Sequence, residues 1–235
     1  MSRLSQILNT LESFYGPQTA QWPIDPYQFL VWWHCGYPQS EERCTRGWES
    51  LNDRIGISPK KLLETPSSTL ARALKPGGMI PELRAGRLKQ IAQQVQQQFD
   101  GDLSTALSRL PVTQVRALLK KFPGIAEPGA DRIILFGGIA TVAAVPSSCP
   151  QVLVRIESGP PQATYNANYR DSQQIIQDQL PDTFAARTRA YLLVHRHRHQ
   201  VCKRSSPKCG ICPIARSCAF FASASRTRPK RAAGH

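Results

Sequence analysis

Apolar residues in this 235-residue chain recur at intervals of three and four, and no long stretch alternates with the period of two that a half-buried strand requires. The spacing predicts an almost entirely helical protein. Leu4, Ile7, Leu8, Leu11 and Phe14 form the first stripe, ended by Gly16-Pro17. A loop with Trp22, Pro23, Pro26 and Tyr27 leads into an apolar helix over residues 29–35, which breaks at Gly36-Tyr37-Pro38 before a helix through Trp48 and Leu51. Ser58-Pro59 and Ser67-Ser68 read as starts of short helices. Residues 83–99 carry Leu88, Ile91, Ala92, Val95 and Phe99 on one face until Asp100-Gly101-Asp102 stops them. Val112, Val115, Leu118, Leu119 and Phe122 mark a further amphipathic helix, joined through residues 123–129 to one starting near Ala130.

That last unit, a helix-hairpin-helix, is the first with chemical meaning. Gly124 permits a backbone conformation that a Cβ would obstruct, and Pro128 suits a first helical turn, where a missing N–H costs least. Backbone amides at Gly124, Ile125, Ala126 and Gly129 are candidates to face a phosphate, with Lys120 and Lys121 adding positive charge. A tight interhelical turn without a ligand is the alternative.

Charge strengthens the phosphate reading. Thirty Lys and Arg against sixteen Asp and Glu give a net +14, and ten positive charges remain without Arg226, Arg228, Lys230 and Arg231 of the C-terminal tail. A polyanion is therefore the expected partner, nucleic acid first. No apolar run approaches the ~20 residues of a membrane span. The N-terminus lacks a signal-peptide core, so a cytoplasmic, nucleoid-associated monomer is expected.

Cysteine usage adds a second site. Cys35, Cys44 and Cys149 stand apart and read as buried thiols, whereas Cys202, Cys209, Cys212 and Cys218 crowd together, a pattern unlike a secreted disulfide framework. Four local cysteines can wrap an iron-sulfur cluster or a tetrahedral Zn2+, and a single Cys-x-x-Cys pair favours the cluster. Lys203, Arg204 and Lys208 lie between the first two ligands, an arc able to clamp a phosphate. His195, His197 and His199 alternate with Arg196 and Arg198; a helix splays them over several faces, so they are expected at the surface or facing DNA, not as a metal site.

The Cys-x6-Cys-x2-Cys-x5-Cys spacing, with Pro207 before the second cysteine and Pro213 after the third, resembles the iron-sulfur loop of the endonuclease III family of base-excision glycosylases. FPGIAEPGAD is similar to that family's leucine-proline-glycine-x-glycine hairpin, and GMIPELRAGRLKQIAQQV to the helix preceding it. YGPQTAQWPIDPYQFLV resembles the entry segment of its monofunctional, methylpurine-type branch. The resemblance spans roughly residues 4–220 and implies an all-α, two-lobed helix-hairpin-helix (HhH-GPD) DNA glycosylase fold with a C-terminal iron-sulfur loop. Residues 27–132 would form a helical barrel ending in the hairpin motif, residues 1–26 plus 133–220 the cluster domain, and 221–235 a basic disordered tail. It further implies a 4Fe-4S cluster on the four clustered cysteines and double-stranded DNA, damaged or abasic, as partner.

The departures bear on activity. Where bifunctional relatives carry the lysine that attacks the sugar, this chain has Pro128, which has no amine. Where relatives place an aspartate that stabilises the oxocarbenium charge or activates water, it has Pro146, and no Asp or Glu lies between Arg132 and Arg155. Trp32 and Trp33 replace small pocket residues and are expected in the core, leaving Tyr37 to stack on an exposed base and Gln39 to serve as wedge. The expectation is a DNA-binding protein without standard glycosylase or AP lyase chemistry. Its rival is a monofunctional DNA glycosylase for alkylated or mispaired bases using a relocated carboxylate, with Glu127 and Asp131 the first candidates. A DNA binder tuned by oxidation of the cluster is a third reading.

Overall fold

Short polar residues decide where this chain enters a helix. Ser2, Asp25, Ser40, Ser58, Asp102, Thr164 and Thr183 each occupy an N-cap and accept, through the side chain, the backbone N–H three residues on. Each such cap contributes about 1 kcal/mol.

The computed structural model describes residues 1–227. Its helices are α1 (Arg3–Tyr15), α2 (Pro26–His34), α3 (Glu41–Arg54), α4 (Pro59–Glu64), α5 (Ser67–Leu74), α6 (Pro81–Phe99), α7 (Leu103–Ser108), α8 (Val112–Leu119), α9 (Glu127–Phe136), α10 (Gln151–Glu157), α11 (Tyr165–Gln179), α12 (Phe184–Gln200) and α13 (Ala219–Thr227). There is no strand among the described residues, and no described helix is long and apolar enough to cross a membrane.

The chain divides into two units. Ala20–Ala140 holds α2 to α9, built on the long α6, which packs on α2, α4 and α5 and buries Leu88, Ile91, Ala92 and Val95. Trp22 and Phe136 lie outside the expected 27–132 span but meet edge-to-face at 5.2 Å inside this unit. The reason is Arg132: its guanidinium lies 3.7 Å over the Trp22 ring and donates to the Glu41 carboxylate at 2.8 Å, drawing the loop before α2 onto α9.

The other unit joins Met1–Thr19 to the chain from Thr141 on. Here α1 packs on α11 and α12 around Leu4, Leu8, Leu11, Val152 and Leu193. Phe14, expected on the buried stripe, is 57% exposed; Tyr15 turns inward instead, and Phe14 packs on its edge. The tail expected to be disordered from residue 221 begins as part of α13. Phe220 and Phe221 are the cause, because both line the cavity of the four clustered cysteines. Residues 228–235 of that tail lie outside the described residues.

Candidate functional site

The hairpin between α8 and α9 is held from behind by a buried histidine. His34, at the end of α2, lies 2.7 Å from the Pro123 carbonyl through Nε2, which must therefore carry the proton and donate. Its Nδ1 is buried with no hydrogen-bond partner, and burial holds the imidazole pKa down to about 4. Gly124 has φ +67°, and a Cβ there would stand 3.2 Å from the His34 ring, so the residue meets both a left-handed backbone and a close approach.

On the outer side, Lys120, Lys121, Gly124 and Ala126 are exposed, and Gly129 is partly so. Ile125 departs from expectation: its N–H donates to the Phe122 carbonyl at 3.3 Å and its side chain is buried. That amide closes the turn and is not among those available to a phosphate.

The candidate acids separate. Asp131 is fully buried and accepts from Arg116 Nε at 2.7 Å, so it neutralises a cation between two packed helices and is not a free acid. Glu127 sits exposed in the first turn of α9, next to Pro128. Pro146 is buried in a turn whose carbonyl accepts the Cys149 N–H at 3.0 Å. Glu157 is bound to Arg3 at 3.0 Å and Gln179 at 3.2 Å.

One feature of this unit was not visible in the sequence pattern. Met79, Ile80 and Leu83, at the start of α6, are 71, 51 and 48% exposed. Arg84 fixes this loop. It is buried and donates to the carbonyls of Gly78 at 2.6 Å, Met79 at 3.1 Å and Cys35. Ile80 adopts φ +50°, a left-handed conformation that is strained for a β-branched residue. Gln39 lies against Gly78 in the same neighbourhood. Tyr37 is half-buried and stacks on Trp33 at 4.7 Å, so one ring face is already covered. Trp32 is core, as expected, while Trp33 is half-buried.

In the other unit, Cys202, Cys209, Cys212 and Cys218 line one small cavity together with Ile214, Phe220 and Phe221. None of them is in a disulfide. Arg155 of α10 ties the loop down, donating to the carbonyls of Lys203 at 2.8 Å and Arg204 at 2.7 Å and reaching Cys202 Sγ at 3.7 Å. Burial raises the pKa of Cys202 and Cys209 and takes Cys212 to about 11, with Arg155 opposing the rise at Cys202. Loading a soft metal centre must therefore displace protons. Four thiols lining one cavity are the kind of donor set an iron-sulfur cluster requires.

Of the cationic arc, Arg204 and Lys208 are exposed, whereas the Lys203 ammonium is turned back onto the His199 carbonyl. The histidines also differ from expectation. His195 and His199 share one face of α12 with ring centroids 4.5 Å apart, but His197 is fully buried, with Nδ1 2.9 Å from the Tyr15 hydroxyl and Nε2 3.8 Å from Cys212 Sγ.

Residues 202–218 match the model for the iron-sulfur binding domain of endonuclease III. The chain superposes on a trapped endonuclease III–DNA covalent intermediate over 96% of its length and 100% of that chain, with a TM-score of 0.71 and 15% identity. The fold is that of the endonuclease III-like DNA glycosylases. A thermostable thymine-DNA glycosylase agrees over 94% of this chain and 97% of its own, at TM-score 0.70 and 18% identity. The 3-methyladenine DNA glycosylase of H. pylori, bound to 1,N6-ethenoadenine, agrees over 83 and 93%, at 0.57 and 18%. No curated protein sequence matches the chain. In this glycosylase fold the iron-sulfur loop is present with all four cysteines.

Proposed function

We propose that the protein is a monomeric, duplex-DNA-binding member of the glycosylase superfamily that lacks both standard chemistries. The observation that carries this reading is a proline at each decisive position: Pro128 in the first turn of α9 and Pro146 buried in a turn. Neither supplies an amine or a carboxylate, and the burial of Asp131 against Arg116 withdraws a natural substitute. The exposed Lys120, Lys121, Arg204 and Lys208, with the hairpin amides of Gly124, Ala126 and Gly129, fit phosphate contacts that give affinity without reading sequence. Met79 and Ile80, exposed on a loop fixed by Arg84, fit an apolar wedge between base steps, with Gln39 beside it. Such a wedge favours bent, damaged or abasic duplex, where unstacking costs less.

The cofactor is proposed to be a 4Fe-4S cluster. The four thiols share a cavity, and residues 202–218 match the iron-sulfur binding domain of endonuclease III, which supports a cluster over Zn2+. Iron and sulfide analysis with the visible spectrum decides between them.

Duplex affinity is expected to fall steeply between 50 and 200 mM salt, by about tenfold or more for several phosphate contacts. An affinity indifferent to salt rejects the reading. Glu127, exposed beside the hairpin, favours the second reading, a monofunctional glycosylase with a relocated acid. Single-turnover assays on alkylated and mispaired duplexes separate the two: no free base is expected, and release abolished by Glu127→Gln establishes the enzyme instead.

A further inference from the structure

His197 is a buried polar side chain that the DNA-binding reading does not use. It projects from α12 between Tyr15 of α1 and the cysteine cavity, bonded to the Tyr15 hydroxyl through Nδ1 and to Cys212 Sγ through Nε2. Its ring is almost completely sealed from solvent and contributes to the cavity wall beside Cys202, Cys212 and Ile214.

The chemistry of the two neighbours fixes the direction of this chain of hydrogen bonds. A cluster-ligating cysteine is a thiolate and can only accept. With a bare Nε2 facing it, two lone pairs would oppose each other in a low-dielectric pocket. With the proton on Nε2, Nδ1 is left as an acceptor, and the Tyr15 hydroxyl is placed at 2.9 Å to donate to it. The Tyr15 O–H therefore orients and polarises the imidazole, whose Nε2–H points at the sulfur.

We infer that His197 donates its Nε2–H to the Cys212 ligand of the cluster and, with Tyr15 as the orienting group, raises the cluster's reduction potential. The inference rests on the cluster reading of the four cysteines. An electron added to the cluster increases the negative charge shared by its thiolate ligands, so an N–H dipole aimed at one sulfur stabilises the reduced form more than the oxidised form. Arg155 supplies a separate donor to Cys202 at 3.7 Å, so two of the four ligands, Cys202 and Cys212, face N–H groups from outside the loop. His197 is a positioning and tuning residue; it holds no iron.

The test uses the full chain purified anaerobically with its cluster, comparing wild type, His197→Leu, His197→Gln and Tyr15→Phe. Iron and sulfide content is measured first, then the cluster potential by spectroelectrochemical titration. His197→Leu is expected to shift the potential downward at unchanged iron content, Tyr15→Phe to shift it less in the same direction, and His197→Gln, whose amide can donate, to recover part of the shift. Protein labelled with 15N-histidine is expected to show a hyperfine coupling to the paramagnetic cluster that His197→Leu removes. If His197→Leu fails to fold, Tyr15→Phe and the isotope coupling carry the test. Equal potentials in iron-replete wild type and Tyr15→Phe, with no 15N coupling, overturn this inference alone; wild-type protein without iron and sulfide overturns the cluster reading together with it.

Discussion

His34 makes the hairpin sensitive to acid, and the size of the effect follows from its surroundings. The side chain is completely buried, its Nε2–H is committed to the Pro123 carbonyl, and a second proton on Nδ1 would find no acceptor. Its pKa is about 4 in the folded protein, lowered mainly by burial, against 6.5 ordinarily. The unfolded chain therefore binds a proton as the pH drops below 6.5, while the folded chain resists until about 4. Stability from this group is complete above pH 6.5 and is lost on acidification across that window. The full difference is roughly 3.4 kcal/mol, and about 2 kcal/mol of it should be gone at pH 5. All four tryptophans lie in Ala20–Ala140, so urea unfolding followed by tryptophan fluorescence reports this unit and not the one holding His197. His34→Gln keeps a donor for Pro123 but cannot ionise. The variant should start less stable at pH 7.5 and then lose less stability than wild type on going to pH 5, by about 2 kcal/mol. Parallel losses in the two proteins would refute the assignment of a neutral His34 with an unpartnered Nδ1.

Arg84→Met removes the donor to three backbone carbonyls, at Cys35, Gly78 and Met79. Urea unfolding should show a loss of about 3 kcal/mol, with new proteolysis around residues 75–83, and Arg84→Lys should recover only part of it. Arg116→Ala removes the salt-bridge partner of the fully buried Asp131 carboxylate and is expected to cost about 3 kcal/mol in the same assay. The double change Arg116→Met with Asp131→Leu should restore most of that, because no charge is left unpaired. Stripping iron with an oxidant and chelator should open residues 202–218 to protease while leaving the tryptophan signal of the other unit unchanged.

Much of the helical layout was legible because local rules and packing agreed. The stripe of Leu88, Ile91, Ala92 and Val95 turns α6 toward the core, and the cap at Ser58 begins a helix where the pattern placed it, whereas Asp102, read as part of a stop, caps the short α7. The reading failed where a neighbour from a distant segment decided the outcome. Phe14 lost its core position to Tyr15 because His197, far along the chain, offers the tyrosine hydroxyl a partner. Asp131 passed as an available acid until Arg116 on the preceding helix was seen to hold it. The exposed Met79–Ile80 pair had no periodic signal, since exposure of a loop depends on which carbonyls Arg84 reaches.

By itself the sequence determined the all-helical class, the Pro128 of the hairpin segment, and the four cysteines with their spacing. These are properties of local chain geometry and of side-chain chemistry, and no folding can give Pro128 an amine. The tertiary structure alone decided which polar groups are spent inside the protein and which remain for a ligand. Burial and hydrogen bonding turned Asp131, His197 and the Ile125 side chain inward, tied the Lys203 ammonium to the His199 carbonyl, and left Met79, Ile80, Arg204 and Lys208 at the surface.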